Sequence, residues 1–234
     1  MIKQIRKITK KIGAVPIFIL LIGCGPTYKI LVKMTPVSDI DGELIVNKDN
    51  SVSALKDEVK ITVEFLDREK LEKIATYYYR NPYLNESKGF FTVFNIIIEN
   101  NRDDKISLDI AKCVLLDGLG NQYNAVSMDF FKGLYPATVG QSYTYSPVID
   151  QYASSIYYTD DYYKMKNVEK TLFKSGEIFS KVVSRGLVVF ENVGREAPQV
   201  TFIIPSISLI IENQEAKNID FKFKFNQEVN FEKK

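Results

Sequence analysis

Alternation of apolar and polar positions is the strongest pattern along the chain. In DEVKITVEFLD, Val59, Ile61, Val63 and Phe65 fall on one side and Lys60, Thr62 and Glu64 on the other, the period of two expected of a half-buried strand. GFFTVFNIIIENN follows, aromatic and β-branched, and ends in the turn signal Glu99-Asn100-Asn101. KISLDIAKCVLLDGLGNQY alternates through Ile106, Leu108 and Ile110 and breaks like a hairpin at Asp117-Gly118-Leu119-Gly120-Asn121. SRGLVVFENV and PQVTFIIPS are expected to pair with each other, and NIDFKFKFNQEV sets Phe221, Phe223 and Phe225 against lysines. Several short strands with turns between them predict a mainly β chain folded as an antiparallel sandwich, each sheet solvated on one face.

Two stretches leave this rhythm. DREKLEKIATYYYRNP, residues 67–82, offers Asp67 as a cap, spaces Leu71, Ile74 and Tyr78 for one helical face and stops at Pro82. Residues 127–177 form a tyrosine-rich insertion that holds eight of the fourteen tyrosines. Short helices are expected at 127–134 and about 160–174, with Asp160-Asp161 as the cap of the second. A connection of this length inside a compact domain calls for a functional explanation.

The amino-terminal residues follow another pattern. Lys3, Arg6, Lys7, Lys10 and Lys11 precede an uncharged run from Ile12 to Gly23, the build of a secretory signal peptide. The run is too short to span a bilayer, which takes about 20 apolar residues. Leu21-Ile22-Gly23-Cys24 resembles the lipobox of bacterial lipoproteins. The resemblance implies cleavage between Gly23 and Cys24, a diacylglyceryl group on the Cys24 thiol and a membrane anchor. The competing readings of Cys24 are a small core residue and a disulfide partner of Cys113. Residues 1–23 then make the leader, 24–41 the lipidated cysteine and a tether, and 42–234 the domain.

Cleavage reverses the charge. The chain has 31 cations and 29 anions, a net +2; losing five cations and no anions leaves 26 against 29, a net −3. Nucleic-acid binding thereby loses its main support, since a basic patch is the electrostatic footprint it needs. Cys113 reads as an apolar packing residue of a half-buried strand. No His is present in the sequence to activate a thiol or ligate a metal.

The strand region resembles the immunoglobulin-like domains of unknown function found in bacterial lipoproteins and secreted antigens. The matching features are the turn at Glu99-Asn100-Asn101, the D-x-x-G-x-x-Y segment at Asp117, Gly120 and Tyr123, the turn at Gly176-Glu177, and G-x-x-x-F at Gly186 and Phe190. The resemblance implies an immunoglobulin-like sandwich over roughly 58–126 and 175–210, and transfers no catalytic residue.

Other chemistry is weakly signalled. Gly118-Leu119-Gly120 lacks the third glycine of a dinucleotide fingerprint and reads as a turn. Asp39, Asp41 and Glu43 are a fragment of a calcium-loop pattern, with turn chemistry preferred. Asn85-Glu86-Ser87 is a glycosylation sequon of little meaning in a bacterial protein. No spacing singles out a carboxylate pair for glycoside hydrolysis. No catalytic residue, metal site or cofactor is expected. Tyr143, Tyr145, Tyr152, Tyr157, Tyr158, Tyr162 and Tyr163 have three readings: a secondary apolar cluster, an exposed recognition surface, or a sugar-stacking platform.

The expected function is that of a non-catalytic, lipid-anchored protein of the cell envelope whose domain binds an envelope protein or assists assembly. The alternatives are a solute- or glycan-binding lipoprotein with a tyrosine-lined pocket and a carboxylate-type hydrolase. Gly25 after Cys24 implies, by the sorting rule of enteric lipoproteins, the outer membrane where the cell has one, and otherwise the outer face of the cytoplasmic membrane.

Overall fold

The computed structural model describes residues 28–38, 43–74, 81–85, 89–136, 139–146, 151–210 and 217–233. In chain order it contains β1 (Tyr28–Pro36), β2 (Leu44–Val46), β3 (Ser51–Lys56), β4 (Val59–Phe65) and α1 (Arg68–Lys73). The short pair β5 (Leu84–Asn85) and β6 (Gly89–Phe90) leads to β7 (Thr92–Asn100), β8 (Lys105–Leu108), β9 (Val114–Asp117) and β10 (Gln122–Asn124). The insertion supplies α2 (Met128–Leu134), β11 (Val139–Ser146), β12 (Gln151–Tyr158) and α3 (Asp160–Thr171). The chain then runs through β13 (Gly176–Ile178), β14 (Val183–Phe190), β15 (Gln199–Ile210) and β16 (Lys217–Lys233).

Two antiparallel sheets face each other. One is ordered β14-β7-β4-β3-β2; the other runs β1-β16-β15-β8-β13, with β9 and β10 continuing beside β15. The chain changes sheets between β1 and β2, between β7 and β8, between β13 and β14, and between β14 and β15. This places β4, β7 and β14 opposite β8/β9, β15 and β16, the Greek-key arrangement of an immunoglobulin-like sandwich. The alternation read from the sequence decides which side chains fill it. Val59, Ile61, Val63 and Phe65 are buried from one sheet, and Phe221, Phe223 and Phe225 are wholly buried from the other. Phe94 is the hub of this interior, with ring centroids 5.0 Å from Phe202, 5.2 Å from Phe225, 5.7 Å from Phe65 and 6.1 Å from Phe190.

The turns named from the sequence are built as turns. Asp117 accepts from the backbone N–H of Leu119 at 2.9 Å and of Asn121 at 2.8 Å, from the Asn121 amide at 2.8 Å and from the Tyr123 hydroxyl at 3.1 Å. Gly120, at φ +92°, turns the chain inside this cage. Asn100, buried at the end of β7, donates to the carbonyls of Asp104 at 2.8 Å, Phe179 at 3.1 Å and Ile178 at 3.2 Å. It thereby ties the β7–β8 turn to the strand that leads into β14. Pro205, which lacks an N–H, lies in the register shift of β15 between Ile204 and Ile207. There β15 passes from pairing with β9 to pairing with β8, opposite the 3₁₀ turn Ile110–Lys112.

Several sequence expectations are corrected. β14 pairs with β7 and lies in the opposite sheet from β15, so the pairing expected between SRGLVVFENV and PQVTFIIPS does not form: the crossover between sheets separates two strands that are adjacent in sequence. The tether expected over 24–41 is strand from Tyr28 to Pro36, paired along its whole length with β16. Ile30, Val32 and Met34 alternate there with Lys29 and Lys33, a period that the flanking prolines disguise. The second insertion helix is capped by Thr159, whose hydroxyl accepts from Tyr162 N–H at 3.3 Å, while Asp160 and Asp161 occupy its first turn. Asp39, Asp41, Glu86, Ser87 and Tyr77, Tyr78 and Tyr79 lie outside the described residues, as do Gly23 and Cys24.

A second core lies on the outer face of β7 and β14. Val93, Leu187 and Val189 point away from the sandwich interior and are buried by Leu71 of α1, Phe131 of α2, and Met165 and Val168 of α3. The unbroken burial of Leu187–Phe190 follows from this, because that stretch is covered on both faces.

Candidate functional site

The insertion is held by conventional helix chemistry before it presents anything. Ser127 caps α2 by accepting from Phe130 N–H at 3.3 Å, and Phe131 is its buried anchor. At the far end of α2, Tyr135 stacks on Phe131 with centroids 6.3 Å apart, and its hydroxyl donates to the carbonyl of Pro82. The hydroxyls of wholly buried Tyr83 and Thr171, the last residue of α3, are 2.6 Å apart. Burial pushes the Tyr83 phenol well above its usual range. Two tyrosines that were not assigned to a surface are therefore core residues that fasten both helices.

Between the helices the chain forms the hairpin β11–β12, which the sequence reading did not predict. Among the described residues its strands pair with each other and with neither large sheet. The register sets Val139 against Tyr158, Gln141 against Ile156, Tyr143 against Ser154 and Tyr145 against Tyr152. Cross-strand partners share a face. By register, one side therefore holds the positions of Val139, Gln141, Tyr143, Tyr145, Tyr152, Ser154, Ile156 and Tyr158. The other collects Gly140, Ser142, Thr144, Ser146, Gln151, Ala153 and Ser155 with a single aromatic, Tyr157. The local signal was the alternation of Tyr143 and Tyr145 with Ser142, Thr144 and Ser146.

The seven tyrosines named from the sequence thus divide among three places. Four share one hairpin face and Tyr157 occupies the other. Tyr162 and Tyr163 stand in the first turns of α3, half-buried, edge to face with each other at 5.6 Å. Lys166 lies 5.7 Å above the Tyr162 ring. The acids of this turn are partly offset, since Asp161 pairs with Lys164 at 3.4 Å and that ammonium also lies 5.0 Å above the Tyr135 ring.

Three clefts among the described residues take their walls elsewhere. One of about 660 Å³ lies between β2/β3 and the edge of β16, with Glu43, Lys56, Asp220 and Lys222 on its walls. One of about 250 Å³ lies beside the 3₁₀ turn at Ile110, and one of about 230 Å³ lies between β1 and α1. Of the named tyrosines whose side chains are described, Tyr162 and Tyr163, neither lines any of the three. Among the described residues no group of three His, Cys, Asp or Glu is placed to hold a metal ion, and no helix is long and apolar enough to cross a membrane. Cys113 is fully buried, and burial pushes its thiol up to about 12, so it packs as a small apolar side chain.

No protein-family model and no curated protein matches the chain. Among solved structures it is similar to a collagen adhesin (CNA) from S. aureus, at 12% identity over 90% of this chain and 82% of that one, with a TM-score of 0.19. At that score the likeness carries no argument, and the immunoglobulin-like character of the chain rests on its own strand order.

Proposed function

We propose that this chain is a non-catalytic lipoprotein of the bacterial cell envelope whose immunoglobulin-like domain presents the β11–β12 hairpin to an envelope protein. The observation that carries the reading is a hairpin whose register puts four tyrosine positions on one side and which, among the described residues, ladders onto neither sheet of the sandwich. Isolated two-stranded hairpins are marginal on their own, and tyrosine supplies large, rigid, amphipathic contact area at interfaces. In this reading the partner lies against the side of the hairpin on which the register places Tyr143, Tyr145, Tyr152 and Tyr158. The anchor is the lipid on Cys24, by the lipobox resemblance of Leu21-Ile22-Gly23-Cys24. Gly25 after Cys24, by the sorting rule of enteric lipoproteins, supports the outer membrane where there is one and otherwise the outer face of the cytoplasmic membrane.

Because β1 begins at Tyr28, only four residue steps separate it from Cys24, a reach of about 14 Å when fully extended. A long flexible search tether is replaced by a domain held close to its membrane. The test is crosslinking in intact membranes followed by pull-down, comparing the protein with a variant in which residues 139–158 are replaced by a short glycine-serine turn. Loss of one dominant envelope partner, with the sandwich still folded by circular dichroism, is the expected result. An unchanged partner set overturns the assignment of the hairpin.

A further inference from the structure

The ladder of β1 with β16 outruns the sandwich. β15 stays in register with β16 only as far as Gln199 opposite Asn226, whereas β1 follows β16 on to Lys233. Past Asn226 the two strands are a ribbon of their own. One face of it carries Lys29 and Lys33 opposite Glu232 and Glu228; the other carries Ile30 opposite Phe231 and Val32 opposite Val229. Phe231, at 62% exposure, leaves this second face open to solvent.

The same apolar face closes a cleft. Where Ile30 and Val32 approach α1 and the residues before β7, a space of about 230 Å³ is walled also by Leu66, Leu71, Leu84 and Phe91. Arg68 and exposed Arg195 stand at it beside the carboxylate of Asp67, which accepts from Lys70 N–H at 2.9 Å. Arg68 is steadied by Glu72 at 2.8 Å. The loop that holds Arg195 is pinned by Gln227, whose amide donates to the carbonyls of Gly194 and Ala197 at 2.9 Å each.

Three properties define the occupant. The apolar surface runs from the cleft along the ribbon to Phe231, a path for something long and thin and not for a single side chain. The rim sets two arginines against one carboxylate, Asp67, a positive balance that matches an anionic head, and arginine forks suit phosphate oxygens. The position is set by the chain: Ile30 is six residues from Cys24, a span of at most about 21 Å. We propose that this cleft takes an acyl chain of a phospholipid from the bilayer beneath the domain, with Arg68 and Arg195 on its phosphate. The proposal rests on the lipid-anchor reading given above and adds a second, non-covalent contact with the same membrane.

The chain contains no Trp, so Phe91→Trp puts a single indole in the cleft and Phe231→Trp puts one on the ribbon. Ile30→Trp serves as the cleft reporter if Phe91→Trp does not fold. Each full-length, processed protein is reconstituted into phosphatidylglycerol vesicles whose chains are brominated. Vesicle flotation reports anchoring, and loss of indole emission against unbrominated vesicles reports contact with an acyl chain. Expected is flotation with strong quenching at the cleft, relieved by Arg68→Gln combined with Arg195→Gln while flotation persists. Flotation with no quenching at the cleft overturns the proposal and leaves the anchor standing, even when Phe231→Trp is quenched. Protein that does not float removes the anchor. Brominated short-chain phosphatidylglycerol monomers then decide the cleft. Quenching by them shows an acyl site fed from solution and overturns the bilayer source, and no quenching overturns the site itself.

Discussion

The molecule has two aromatic hubs, and they are built differently. Phe94 sits among four other phenylalanines between the sheets, in a core whose buried members include no tyrosine. Phe131 sits outside the sandwich beside Tyr83, Phe91 and Tyr135, and two of those rings end in hydroxyls bonded to Thr171 and to the Pro82 carbonyl. The first core is packed by shape alone, because the sheet ladders have already satisfied the backbone around it. The second must also fix a loop and two helix ends that no ladder holds, and tyrosine combines a large apolar body with a directional bond. The insertion is therefore fastened onto the sheet as a layer with its own internal logic.

Truncating the two hubs separates them most clearly. Phe94→Ala is expected to cost about 3–5 kcal/mol and to lower the denaturant midpoint of the whole domain in one transition. Phe131→Ala is expected to cost about 3 kcal/mol and to act locally. Hydrogen exchange should speed up in α2 and α3 while β4, β7, β15 and β16 stay protected; equal loss of protection in both layers would show that the cores are one cooperative unit.

Gly186 probes the seam where the layers meet. A Cβ there would lie 2.6 Å from Phe173 Cα, where Phe173 N–H bonds to the Leu187 carbonyl at 2.9 Å and the chain leaving α3 runs beside β14. Gly186→Ala is expected to destabilise by about 1–3 kcal/mol, read by chemical denaturation. Full wild-type stability would mean that the seam yields without cost. Tyr83→Phe removes only the hydroxyl bond to Thr171 and should cost about 1 kcal/mol; thermal melts of the single variant and of Tyr83→Phe/Thr171→Val test whether the two losses are one.

Two smaller effects sharpen the contrast between buried and surface chemistry. Cys113, its thiol raised by burial, should resist a thiol reagent at pH 8 in the native protein and react on denaturation. With Cys24 lipidated, the processed protein then yields one thiol in denaturant; two would contradict lipidation. Asp117 is held below the usual carboxylate range, first by the Asn121 amide and then by the backbone N–H groups of its turn and the Tyr123 hydroxyl. Its contribution is present above the unfolded carboxylate value near pH 4 and is lost as the pH falls through the lower folded value. The gap in denaturant midpoint between wild type and Asp117→Asn should shrink between pH 7 and pH 3; a constant gap would assign the bonds no linkage.

What could be read in the sequence follows the same division. Period-two burial at Val59–Phe65 and Phe221–Phe225, the Asp117 turn and the Asp67 cap depend on neighbours in sequence, and each was legible. The pairing of β14 with β7 depends on a sheet crossover that no local pattern records, and β1 was hidden because Pro26 and Pro36 bracket a short alternation. Within the candidate site the tyrosines were legible as a cluster. Their division between the two sides of a hairpin and a helix turn required the register of β11 with β12. Tyr83 and Tyr135 carried no distinguishing signal, since their bonds reach Thr171 and Pro82 from far along the chain.

The nine-residue pairing of Tyr28–Pro36 with β16 also sets how the domain meets mechanical load. A pull on the residues before Tyr28, directed along β1 and away from the sandwich, slides the strand lengthwise, so its ladder bonds share the force together. A pull directed sideways peels the same strand, and the bonds at Tyr28 and Lys233 bear the strain first and break in sequence. A domain held at that end is therefore strong in one direction and weak in another, and a partner gripping it from the opposite pole would load it in the strong one.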